Sequence, residues 1–405
     1  MWVLIKHELK RFFKSKFSLI FTILIVLLNV FVGLNYKSLS ESYTWEDEFK
    51  SFQNFDFTNH EQAFSQFNSQ LDSIDENTSD KAEIEEREHI LLEMEKLEEN
   101  LKYYENLKMY AENKDAGKIS ELILNDTKLR NQRVLKEIEN NNYGDPERTN
   151  HYFVFELMQQ YIYDNNLTPR ADVWSDYSAL GLLVILFQKY YIIILPILFL
   201  IVASTSISGE FSNNTYKLLF SQPIKKLKII IPKIISSIIV STFLMLVAVL
   251  SALIIGTILN GFGELNAPIL IFENLTKNPM KKCGILEYTH IETTILVLGK
   301  LISYTIFISI FINSMAILIS SLFKSKLTSI VTAIIIFIGT YFTAPLITGI
   351  KAFNPMTYLN SYEIVTGINS LTIPEIQLNL GVFILLTLSI IFIAFTLMKM
   401  KKSHI

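Results

Sequence analysis

The chain has 405 residues, half of them hydrophobic, with a mean hydropathy of +0.33 and a formal net charge of −3. That balance argues against a large soluble protein and for a membrane protein. A single cysteine, Cys283, excludes an intrachain disulfide, so any domain outside the bilayer is held by packing.

Residues 1–16, MWVLIKHELKRFFKSK, put Trp2, Ile5, Leu9, Phe12 and Phe13 on one helical face, with Lys6, Lys10, Arg11 and Lys14 mostly off it. This reads as an interfacial amphipathic helix, aromatics at the acyl boundary and lysines at anionic headgroups. The plainer alternative is a set of charges that orient the first span. Residues 17–36 form that span, long enough for roughly 30 Å of hydrocarbon at about 1.5 Å per residue. The run is too long for a signal-peptide core and no small-x-small site follows it, so it reads as an uncleaved anchor.

Residues 37–177 carry 31 acidic and 15 basic side chains. Within this block Ile90, Met94, Leu97, Leu101 and Tyr104 recur at alternating spacings of four and three. A second apolar series runs from Ile119 to Ile138, and Asn113 to Gly117 between them is turn-like. The pattern predicts an antiparallel, coiled-coil-like helical hairpin, followed by a shorter helix from Tyr152 to Tyr163. The phenylalanines between Trp45 and Phe67 either pack on the hairpin or form a binding surface.

Residues 178–405 read as a transmembrane domain with spans at about 190–206, 229–259, 301–323, 327–347 and 378–398. Ala179 to Phe187 is apolar until Gln188-Lys189 interrupts it. That piece is an outer interfacial helix or the start of one long tilted second span. Segments on one side of the spans hold about 15 Lys/Arg against only Glu8 and Glu210, a positive-inside bias. Both termini are therefore expected in the cytoplasm of a bacterial cell membrane, with 37–177 extracytoplasmic. The expected fold class is an all-α polytopic membrane protein: six transmembrane helices with a large extracytoplasmic helical insertion between the first and second.

No GxxxxGK[ST] loop, HExxH, CxxC or GxSxG pattern occurs, and the six histidines are scattered. No catalytic residue, metal site or cofactor site is expected on this chain, and the acidic block argues against nucleic acid. In-span polar residues are few. Asn29 lies in the first span, and Ser309 and Asn313 lie one turn apart on the fourth. They either bond neighbouring helices, for on the order of 1 kcal/mol each, or line a translocation path.

The densest local pattern is Ser206 to Lys226. Gly209 permits a turn. Glu210 then suits the positive end of a short helix expected to reach about Phe220. Ser221 and Pro223 fit the cap and first turn of the next helix, whose Lys225, Lys226 and Lys228 meet headgroups. Glu210, Thr215, Leu219, Pro223 and Ile224 stand in the order Glu-x-x-x-x-Thr-x-x-x-Leu-x-x-x-Pro-Ile. In this the chain resembles the permease subunits of ABC-2-type exporters. Its basic N-terminal helix is similar to that family's connector helix, Ser320 to Lys326 to its short inner loop, and Asn354-Pro355 to an Asn-Pro before the last span.

The resemblance implies that Glu210, Thr215, Leu219 and Pro223 belong to a coupling helix against a separate ATP-binding-cassette subunit, which binds ATP and Mg. It implies a second permease protomer, identical or a sister chain, and contact with membrane lipids. The implied function is export of an amphipathic or antimicrobial peptide, a lipid or a drug. The competing reading is a membrane-anchored sensor or scaffold that binds an outer partner through the hairpin, although the inner loops are too short for an output domain. An ion-coupled transporter is disfavoured by the lack of acids within the spans. A four-span macrolide-exporter-like permease is disfavoured by the count of six.

Overall fold

The structure, a computed structural model, describes residues 2–41, 59–72, 81–141, 146–170, 176–215, 227–273, 285–344 and 348–402. It divides into two compact units, Met1–Lys37 with Asp176–Ile405, and Ser38–Ser175.

Among the described residues, six helices are long and apolar enough to cross a membrane: Lys16–Ser38, Ala179–Ser204, Lys228–Asn260, Thr294–Leu322, Lys326–Thr343 and Leu378–Lys401. They share one contiguous apolar core that includes Ile25, Phe199, Leu244, Leu301 and Leu385. The fourth span is the most enclosed, half of its most apolar window being buried. The fifth has only 17% of its window buried. The fifth exposes Leu327, Val331, Ile335, Ile338 and Phe342 along one helical face. An apolar stripe of that kind is stable in lipid or against another chain, not in water.

Three features depart from expectation. The second span starts at Ala179, not near Tyr190. Ser178 caps it by accepting from Gly181 N, and a π turn over Leu186–Tyr190 carries the helix through Gln188-Lys189. The polar pair thus marks a widened turn inside one helix, and the long-helix alternative holds. The fourth span starts at Thr294, before the expected 301. Lys300 is exposed there and paired with Glu292 at 2.5 Å. Finally, the chain is mostly helical but not all-α. Pro268–Phe272 and Thr289–Thr293 pair antiparallel, with Leu270 opposite Ile291. Both segments are rich in β-branched residues, and the first is largely buried, which suits a strand better than a helix turn.

Between the fifth and sixth spans the chain forms a 3₁₀ turn, Pro355–Leu359, and short helices Ser361–Thr366 and Ile368–Thr372. Asn354 Oδ1 accepts from Met356 N at 3.0 Å and so starts the 3₁₀ turn. Gly367 separates the two helices at φ 74°, and a Cβ there would sit 1.9 Å from the Phe272 carbonyl oxygen. Only glycine meets both demands.

The second unit contains helices Lys81–Glu112, Ala116–Asn141 and Pro146–Asp164. The first two are joined by a tight turn with Lys114 at φ 55°. Leu107, Ala111, Ile119 and Ile123 form the core near this turn, with Tyr103 and Tyr104 packed on it. Arg133 meets Glu99 across the two helices at 2.6 Å. Leu129 and Leu135, which belong to the second apolar series, are exposed at 53% and 41%. Phe64 and Phe67 are half-buried on a helix over 59–71, while Phe49, Phe52, Phe55 and Phe57 lie outside the described residues.

Candidate functional site

The N-terminal helix, Trp2–Phe13, buries Ile5 and packs Leu9 and Phe12 against the main core. Phe13 sets its ring edge-on to Phe243 of the third span, centroids 4.9 Å apart. Trp2 and Val3 stay exposed at 71% and 78%. Glu8 and Arg11, one turn apart, are thereby carried to the start of the third span, where Lys233 follows Pro232.

The turn after the second span is fixed by serines. Ser320 Oγ, on the fourth span, accepts from Ile207 N at 3.0 Å and from Ser208 N at 2.9 Å. The Ser204 carbonyl accepts from Ser208 Oγ and from Ser329 Oγ of the fifth span, both at 2.8 Å. These bonds satisfy backbone groups that the end of a helix leaves open. They hold the short helix Ser208–Ser212 against the ends of the second, fourth and fifth spans.

Glu210 on that helix is the centre of an ionic cluster. Its Oε1 accepts from Arg11 Nη1 at 2.5 Å and from Lys233 Nζ at 3.1 Å. Its Oε2 accepts from Thr215 Oγ1. Lys233 also donates to Glu8 Oε1 at 2.5 Å, and Arg11 lies 3.8 Å from Glu8. The Lys233 side chain is only 4% exposed and that of Glu210 only 9%. Two acids and two bases thus balance. Burial raises the Glu210 pKa, but Lys233 and the hydrogen bonds from Thr215, Arg11 and Lys233 outweigh it and hold the carboxyl at about 2. A charge buried at the end of a span persists only when partnered in this way.

The sequence expectation and this geometry overlap in part. Glu210 and Thr215 meet, but the helix expected to run to about Phe220 ends at Ser212. Asn213 closes it, and Asn214 is left-handed at φ 57°. Two consecutive asparagines favour such a stop, because their side chains tolerate the left-handed region. Leu219 and Pro223 lie outside the described residues.

Asn29, Ser309 and Asn313 do not join this cluster; each is buried. Asn29 Nδ2 donates to Ala248 O at 2.9 Å and Ser251 Oγ at 2.8 Å, and its Oδ1 accepts from Tyr191 OH at 2.9 Å. Asn313 Nδ2 donates to Ser241 Oγ at 2.9 Å and to Ser309 O at 2.7 Å. Ser309 Oγ donates to Ile306 O at 2.8 Å.

Sequence reasoning missed Lys233 and the roles of Glu8, Arg11 and Ser320. A cation one turn into an apolar run was the available signal for Lys233, since such a charge needs a partner.

Comparison with known proteins adds one finding. The family model described as ABC-2 family transporter protein matches residues 2–399, nearly the whole chain. No curated protein and no solved structure matches.

Proposed function

Since this chain belongs to the ABC-2 transporter family, we propose that it is the membrane permease of an exporter driven by a separate ATP-binding-cassette subunit. It is a multi-pass membrane protein and a transport component. The sensor or scaffold reading is not favoured by that membership.

In the proposed assembly the ATPase subunit docks below the N-terminal helix and Ser208–Ser212. The carrying observation is the Glu210 cluster, which ties those two elements to the third span. A push on either element then reaches the second and third spans together, shifting the balance between two access states. ATP and Mg bind on the partner. A second protomer, identical or a sister chain, packs on the exposed stripe of the fifth span.

The basic inner segments support cytoplasmic termini and an extracytoplasmic place for residues 37–177. The proposed substrate is an amphipathic or antimicrobial peptide, a lipid or a drug. The test is purification of the tagged chain from its own membrane in mild detergent, with mass spectrometry of what accompanies it. A stoichiometric subunit with a Walker loop is expected, and its reproducible absence would overturn the exporter assignment. With the partner in hand, Glu210→Gln should retain the ATPase but uncouple its turnover from transport.

A further inference from the structure

Beside the ionic cluster lies a cavity of about 430 Å³, within the roughly 300–1,000 Å³ usual for small-ligand sites. Its polar end is where Arg11, Asn213 and Lys326 meet, Lys326 bonding Asn213 and converging with Arg11 over Gly209. Phe17, Val202 and Ile330 are among the apolar residues of the same lining, which also includes Ser236 and Ser237. Its lining takes in the start of the first span, the last turn of the second and the first turn of the fifth. The cavity therefore straddles the boundary between headgroups and hydrocarbon.

The charge at the polar end is cationic. Glu8 also lines the cavity, but it and Glu210 are balanced by Lys233 and Arg11. Lys326 is left over. Its Nζ donates to the neutral Asn213 Oδ1 at 3.0 Å, and among the described residues no carboxylate pairs with it. Lys326 also opens the fifth span, whose N-terminal dipole favours an anion. Arg11 Nη2 and Lys326 Cε each lie 3.2 Å from where a Gly209 Cβ would stand. The two cationic side chains thus converge over a residue that offers no bulk of its own.

We infer that this cavity binds an anionic glycerophospholipid of the adjoining leaflet, its phosphate between Arg11 and Lys326 and one acyl chain along Phe17, Val202 and Ile330. A zwitterionic lipid brings its own cation to the same place and gains less from Lys326. This binding does not depend on the exporter assignment, because its readout needs neither ATP nor a partner subunit.

The test reconstitutes the full chain into nanodiscs of phosphatidylcholine doped with phosphatidylglycerol. The protein is then moved into lipid-free detergent and the retained lipid per chain is measured by mass spectrometry. Phosphatidylglycerol should be retained in preference to phosphatidylcholine. Lys326→Gln, which removes one charged donor, and Ile330→Trp, which adds bulk to the apolar lining, should each lower retention by about tenfold. Thermal unfolding of each variant checks that it is folded. Retention in the bulk lipid ratio, or unchanged in both variants, would overturn the inference. Loss in Ile330→Trp alone would mean a neutral amphiphile and would also overturn it. Displacement by inorganic phosphate would assign the polar end to free phosphate instead.

Discussion

Glu210 is held by three donors, two of them charged and on different helices. Removing one member of such a cluster leaves the others buried without a full set of partners, at a cost of about 3 kcal/mol. Glu210→Gln should therefore lower the thermal midpoint of the detergent-solubilised protein. Adding Lys233→Met should recover part of that loss; strictly additive effects in the double-mutant cycle would show that the two side chains do not interact. The pH dependence has a definite sign. The carboxyl is depressed to about 2 in the fold, against about 4.3 in an unfolded chain. Its stabilisation is fully present above the unfolded value and is lost as pH falls through the folded one. The stability difference between wild type and Glu210→Gln should thus stay constant at neutral pH and shrink between about pH 4.5 and 2. A difference that disappears already near pH 6 would contradict the depressed carboxyl. Glu210 itself was legible as a rare acid among basic inner segments. Arg11 was not, because the partners are 199 positions apart and nothing local in either sequence points to the other.

Among the elements, six apolar runs were legible because lipid demands long uninterrupted hydrophobic helices. Their ends were not, for particular reasons. Gln188-Lys189 looks like a break when counted by hydropathy, yet the backbone passes through it as a π turn. Thr294 to Lys300 contains a charge, which Glu292 neutralises from the neighbouring strand. The acid and threonine fit one continuous helical spacing, yet Asn213-Asn214 interrupt the helix after Ser212; residues 216–220 lie outside the described residues. Ser204, Ser208, Ser320 and Ser329 carried no visible signal, serines being common in any sequence. Ser320→Ala removes the acceptor for two backbone N–H groups, a loss of about 1–3 kcal/mol for a buried donor left unmet. Ser303→Ala, on the exposed side of the same helix, should stay within about 0.5 kcal/mol. Comparable midpoints for the two variants would argue against the Ser320 contacts.

At the scale of the whole molecule, charge asymmetry leads to a testable topology. In a Cys283→Ser background, Asn113→Cys lies at the turn of the helical hairpin and Lys324→Cys on the short link before the fifth span. A membrane-impermeant maleimide added to intact cells should label the first and spare the second, with the second labelled after lysis. The reverse pattern would invert the orientation proposed for the chain. The second span has a mechanical consequence of its own. Its first end is pinned, since Ala179 N donates to Gly261 O at 3.0 Å and Ala179 packs on Gly256. Its last end is pinned by the Ser320 and Ser329 bonds. Between these clamps the helix leaves α geometry over the π turn Leu186–Tyr190, so the wider turn, and not either end, is where the helix has room to take up a twist.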